Sequence, residues 1–319
     1  MISRESMGLG PVVVGALGGS GTRLVAALLA ELGYFLGSDL NAERDNLTFT
    51  LLFKRRRWLE RDVPRDPAQV HTGLRILEKT MLTAQPLDEG ERRFLRRAVR
   101  EVALHGYDHR HRGAGAWPLV RAHRLLRAQP LDPRRFRGWG WKEPNSHLFL
   151  PELVEHFPGL RFVYVLRHGL DMACSSNDTQ LRLWGPRYGV ELGRGRQAHA
   201  RAMLEFWIRV SERVIEQGHR ELGQRFLVLP FDRLIESPEQ GLASLLAFLS
   251  IDPAEVDLRR LLALPVRPAS IGRYKRRGLE PFTPRLLEGV RALGFAIEAD
   301  GAPAGAQLSS VRRTAKSHT

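Results

Sequence analysis

Residues Pro11 to Leu29 read PVVVGALGGSGTRLVAALL: a β-branched strand, a loop of small residues centred on Gly18, Gly19, Ser20, Gly21 and Thr22, and an apolar helix. A loop with so little side chain lets successive backbone N–H groups converge on an anion, and the helix N-terminus behind it adds partial positive charge. The segment therefore predicts a phosphate cradle at the start of an α/β fold. It lacks the Lys that a nucleoside-triphosphatase loop carries after its last Gly; Thr22 and Arg23 stand there instead. That argues against ATP with Mg²⁺, and no metal is expected. Similar turns also occur where a helix merely packs tightly on a sheet, so the loop alone does not decide the function.

A second segment adds weight. Arg161 to Ser176 reads RFVYVLRHGLDMACSS, a strand over Phe162 to Leu166 that ends in Arg167 and turns into a helix carrying Asp171 and Ser175. Ligands of open α/β sheets sit outside the carboxyl ends of the strands. An Arg fork at that edge with a hydroxyl eight residues on suits a second phosphate.

With these two segments in order, the chain resembles the sulfotransferases that use 3′-phosphoadenosine 5′-phosphosulfate (PAPS). Gly19-Ser20-Gly21-Thr22-Arg23 is similar to that family's 5′-phosphosulfate loop, except that Gly19 stands where Lys or Arg is common. Arg167, Asp171 and Ser175 match the spacing of its 3′-phosphate element. Trp141-Lys142-Glu143-Pro144 is similar to the element preceding the second nucleotide strand, Leu229 to Ile235 to a late strand end, and Ser270-Ile271-Gly272-Arg273-Tyr274-Lys275 to a basic loop closing over the 3′-phosphate. The five segments span about Val12 to Lys275.

The resemblance implies a three-layer parallel sheet flanked by helices, a P-loop-like nucleotide site and transfer of a sulfuryl group from PAPS to a hydroxyl or amine of a small-molecule or saccharide acceptor, leaving adenosine 3′,5′-bisphosphate. Gly18, Gly19, Ser20, Gly21, Thr22 and Arg23 would face the 5′ side, and Arg167, Ser175, Gly272 and Arg273 the 3′-phosphate. Lys142 and Arg23 would supply catalytic cations. Pro144 occupies the place of the His base found in part of the family, so the base is sought elsewhere: Asp45 first, then Glu43, Glu143 and His147. Two plainer readings stand beside these, with Lys142 paired to neighbouring Glu143 and Asp45 acting with Asn46 as a helix cap. Gly19 keeps open the alternative of a nucleotide-binding member without transfer activity, or a P-loop kinase relative.

Composition narrows the context. The net charge is +14, yet the basic residues are nearly all Arg, Lys occurring only at 54, 79, 142, 275 and 316. Clusters such as Arg55-Arg56-Arg57 and Arg134-Arg135 read as solvated faces, and no nucleic-acid signature is present. The single cysteine, Cys174, excludes an internal disulfide and points to packing and a reducing, cytoplasmic setting. No apolar run is long enough to span a bilayer.

One domain is expected over residues 11–299, with disordered tails at 1–10 and 300–319; a homodimer is compatible. Strands are expected at 12–15, 34–36, 138–142, 162–166 and 226–229, and helices at 22–32, 148–157, 197–217 and 238–249. A helical insertion over about 47–137, broken near Pro64–Pro67, Pro86 and Pro118, would build the acceptor side. Its Trp58, Phe94, Tyr107 and Trp117 suit either an aromatic or anionic ligand or simple packing.

Overall fold

The computed structural model describes residues 10–108, 111, 113–129, 131, 132 and 134–298. The expected tails, apart from Gly10, lie outside the described residues.

Five parallel strands form one sheet: β1 (Val12–Ala16), β2 (Tyr34–Phe35), β3 (Gly138–Lys142), β4 (Arg161–Leu166) and β5 (Phe226–Pro230), in the order β2-β3-β1-β4-β5. The strands are near-continuous apolar runs because helices cover both faces. Val12, Val14, Ala16, Val163 and Val165 pack on one face against α1 (Thr22–Glu31), together with leucines of the late segment Pro238–Leu249. Val13, Trp141, Phe162 and Tyr164 point the other way, onto the insertion and the long helix Arg196–Leu222. In β3 the two tryptophans share one face, and Gly140 between them lets the neighbouring strand close: a Cβ there would lie 1.8 Å from the Val12 carbonyl oxygen.

The insertion holds α2 (Leu47–Phe53), α3 (Ala68–Glu78), α4 (Glu89–His105) and α5 (Trp117–Leu126). The chain leaves the helix around 63–67 and 84–88, near the expected prolines. Pro118 stands in the first turn of α5 instead of breaking a helix, because a first-turn N–H has no intrahelical acceptor to lose. The expected helix at 148–157 divides into a tighter 3₁₀ turn, Pro144–Phe149, and α6 (Leu150–His156).

Two expectations about the insertion are corrected or settled. Arg55 is not on a solvated face: it is 2% exposed, 4.3 Å from the Trp58 ring and 3.1 Å from Glu101, and burial lowers its pKa to about 10. Trp58 and Phe94 are packing residues, their rings 5.8 Å apart edge-to-face inside the core.

Because all strands run the same way, their carboxyl ends share one edge. The glycine turn, Lys142, Arg167 and the residues after Pro230 leave the sheet there. The chain departs from central β1 toward β2 on one side and returns as β4 on the other, and such a switch of direction is where open α/β sheets bind their ligands.

Candidate active site

The turn between β1 and α1 is built for close approach of backbone. Gly19 and Gly21 have φ of +96° and +88°, conformations that L side chains avoid. A Cβ on Gly21 would fall 2.1 Å from the Phe231 ring. Gly21 is also the N-cap of α1 and brings no capping side chain, so the helix start keeps backbone donors for an anion. Two donors of the turn are already engaged: Gly18 N–H donates to Gln180 Oε1 at 2.6 Å, and Ser20 N–H to the Leu17 carbonyl at 3.1 Å. Gly18 thus shapes the turn, and its N–H has a partner within the protein. Ser20 and Thr22 are buried, whereas the Arg23 side chain is exposed.

The β4 edge faces this turn. Arg167 is buried; its guanidinium donates to the Gly19 carbonyl at 3.1 Å and to Ser270 Oγ at 2.8 Å, while its Nε has no partner. Burial lowers the Arg167 pKa, the acids Asp232 and Asp171 oppose that, and the like charge of Arg273 adds to it. Asp171, on α7 (Gly169–Ala173), accepts from the N–H groups of Gly272 at 2.8 Å and Tyr274 at 3.2 Å. One carboxylate therefore holds the 270–274 loop onto the second turn. Asp232 accepts from His168 N–H at 2.8 Å and ties β5 to the same corner; burial pushes its carboxyl upward.

Ser175 lies past the other end of α7. It lines a cavity of about 530 Å³ that it shares with Cys174, Arg196, Arg277 and Phe282. Arg273 donates from its Nε to the Ser270 carbonyl at 3.1 Å. Both Arg273 and Arg277 act electrostatically on buried Cys174, whose thiol burial raises. The second turn thus gathers three guanidinium groups, of Arg167, Arg273 and Arg277. The sequence reading missed Arg277, although Arg276-Arg277-Gly278 immediately after the expected loop was its signal.

Lys142 ends β3, almost wholly buried. Its Nζ donates to the Glu43 carbonyl at 2.9 Å and to Asp45 Oδ1, not to Glu143. Neighbouring residues of an extended strand point to opposite sides, which separates Lys142 from Glu143. Asp45 is held in turn by Asn41, whose Nδ2 donates to Oδ2 at 2.9 Å. Asn46, not Asp45, caps α2, accepting from Phe49 N–H at 2.9 Å. Glu143 is buried and accepts twice from Asn145; burial raises its carboxyl, Lys54 lowers it and Asp45 adds to the rise. His147 donates Nδ1–H to the Pro144 carbonyl at 2.8 Å, since a carbonyl can only accept, and burial pushes its pKa down to about 4.

A larger cavity, about 860 Å³, opens between the insertion and residues 181–192, and its Tyr107 feels the charge of Asp45. Arg57, Leu104 and Tyr107 line one wall, and Leu181, Leu183 and Val190 the other. The Tyr107 ring lies 4.5 Å from that of Trp117 at a tilt of 35°, and its hydroxyl pKa is pushed up to about 12 by burial, with Asp108 and Asp45 adding. The aromatic residues expected on the acceptor side thus divide, Trp58 and Phe94 in the core and Tyr107 at the cavity.

Sequence reasoning also missed Gln180, on α8 (Thr179–Trp184), and Asn145, because nothing in their neighbourhood marks them. Among the described residues no helix is long and apolar enough to cross a membrane, and no group of three His, Cys, Asp or Glu side chains could hold a metal.

No curated protein matches this sequence. Among solved structures, the sulfotransferase domain from the Synechococcus PCC 7002 olefin synthase aligns over 90% of this chain and 95% of its own at 13% identity, with a TM-score of 0.44. Sulfotransferase STF1 from Mycobacterium tuberculosis H37Rv aligns over 88% and 76% at 15% identity and 0.42. Sulfotransferase STF9 from Mycobacterium avium aligns over 92% and 78% at 15% identity and 0.39. The sulfotransferase family model matches residues 11–255, most of the chain and both turns, and the chain belongs to the sulfotransferase family.

Proposed function

We propose that the protein moves a sulfuryl group from PAPS to a hydroxyl or amine of a small-molecule or saccharide acceptor. The observation that carries this reading is the hydrogen bond from Arg167 to the Gly19 carbonyl, which brings the two turns read as anion sites into contact. The residues there fit a doubly phosphorylated adenosine: a side-chain-free cradle, an uncapped helix start and a buried guanidinium with an unpartnered Nε. The backbone of Gly19, Gly21 and Thr22, with Ser20 and Arg23, would hold the 5′ side. Arg167, Ser175, Gly272 and Arg273, joined by Arg277, would hold the 3′-phosphate. PAPS when bound supplies an activated sulfuryl group and a stable leaving group.

The chain's own part is positioning and charge. Lys142 spends two of its three N–H bonds on Glu43 and Asp45 and keeps one for an oxygen that gains negative charge. Asp45, whose Oδ1 lies against Nζ, would take the acceptor's proton as the new bond to the sulfuryl group forms. The acceptor would lie in the 860 Å³ cavity, whose Tyr107 acts electrostatically with Asp45. Transfer of ³⁵S from labelled PAPS to a pool of hydroxyl and amine acceptors tests this. Wild-type protein should label a product without added metal, and Lys142→Met should lower the rate at least about a hundredfold while nucleotide affinity stays within a few-fold. Labelling that requires ATP and Mg²⁺, or none at all, would contradict the reading.

A further inference from the structure

We propose that Gln180 is a positioning residue for this reaction, an internal clamp that sets the shape of the glycine turn; the inference rests on the donor reading above. Gln180 is buried at the start of α8 and uses both ends of its amide. Its Oε1 accepts from Gly18 N–H at 2.6 Å, while its Nε2 donates to the Ala16 carbonyl at 3.3 Å and to Asn145 Oδ1 at 2.9 Å. Asn145 is fixed in turn: its Oδ1 also accepts from Trp184 Nε1 at 2.9 Å, and its own N–H groups are taken by Glu143.

One side chain thus joins the last residue of β1, the first glycine of the turn and the segment that follows Lys142. Turn residues with positive φ have many alternative conformations, and a cradle works only when its donors converge. Gly18 has no side chain with which to hold itself. The amide of Gln180 supplies the missing constraint from a residue more than 160 positions away, and Asn145 fixes which end of that amide faces Gly18. The residues after Gln180 on α8, Leu181 and Leu183, line the acceptor cavity, so the clamp sits between the donor turn and the acceptor wall.

The test uses Gln180→Met, which keeps the length and removes the amide, Asn145→Ala, which removes the anchor, and Trp184→Phe, which removes only the other partner of Asn145. Calorimetry with adenosine 3′,5′-bisphosphate should show affinity about tenfold weaker for Gln180→Met. Asn145→Ala should weaken it less, the double variant no more than Gln180→Met alone, and Trp184→Phe not at all. Glycine-selective ¹⁵N spectra without nucleotide should show the Gly18 amide protected from exchange in wild type and Trp184→Phe, and unprotected in Gln180→Met. Should Gln180→Met not fold, Asn145→Ala carries both readouts. Wild-type affinity together with an unchanged Gly18 amide would overturn the proposal. If wild type binds adenosine 3′,5′-bisphosphate no better than AMP, the donor reading fails, and the Gly18 amide still decides whether Gln180 holds the turn.

Discussion

The carboxyl edge of the sheet and the helical insertion solve opposite problems. At the edge, side chains are sparse or tied to backbone: Asp171 holds a loop by two N–H groups, Gln180 holds Gly18, and Arg167 reaches a carbonyl. The insertion is held by volume, with Phe53, Trp58 and Phe149 in mutual ring contact, Phe49 against Phe53 and Phe149, and Arg55 over the Trp58 ring. The first arrangement conserves a shape that presents donors. The second fills space and leaves a cavity beside it. Substitutions in the two regions should therefore separate stability from nucleotide binding.

The largest effect is expected in the insertion. Trp58→Ala removes a ring that is 1% exposed and should cost about 3–5 kcal/mol in urea unfolding, with adenosine 3′,5′-bisphosphate affinity unchanged for the folded fraction. A parallel loss of affinity at full folding would show that the regions are not separable.

At the border between them, His147 should make stability depend on acid. Its folded pKa of about 4 lies below the ordinary 6.5, so the unfolded chain binds the proton first. The stabilisation is complete above 6.5 and is lost as pH falls toward 4, an amount of about 3 kcal/mol. Glu143, whose carboxyl burial raises, has the opposite sign: its contribution is present at low pH and is lost as pH rises through its raised pKa. The measurement is therefore the difference in urea midpoint between wild type and His147→Gln at each pH. A difference that stays constant from pH 7 to 4 would contradict the assignment.

The smallest effect belongs to a helix end. Asp88 caps α4 in a reciprocal box with Glu91, and Asp88→Ala should lower the urea midpoint slightly, by less than either change above, without touching nucleotide affinity.

The same contrast explains what could be read before the structure. Strand, glycine turn and helix are local patterns, so Val12 to Glu31 and the strand ending at Arg167 were legible, as was the parallel class they imply. The pairing of Lys142 with Asp45 was not, because it joins residues 97 positions apart, and adjacency suggested Glu143 instead. Gln180 and Asn145 left no trace because an amide that acts through backbone needs no pattern around it. Arg55 was misread for a related reason: a run of three arginines looks uniform, whereas the break in the helix after Phe53 turned only the first inward, its Nε donating to the Leu52 carbonyl.

The central claim is that the two turns grip one nucleotide through its separate phosphates. Calorimetric titration with adenosine 3′,5′-bisphosphate and with AMP, on wild type and Arg167→Ala, tests it most directly. The account predicts that wild type prefers the bisphosphate by about a hundredfold and that Arg167→Ala abolishes the preference, as loss of charge-assisted bonds to a phosphate requires. Equal affinity of wild type for the two nucleotides, or a preference that survives in Arg167→Ala, would contradict it.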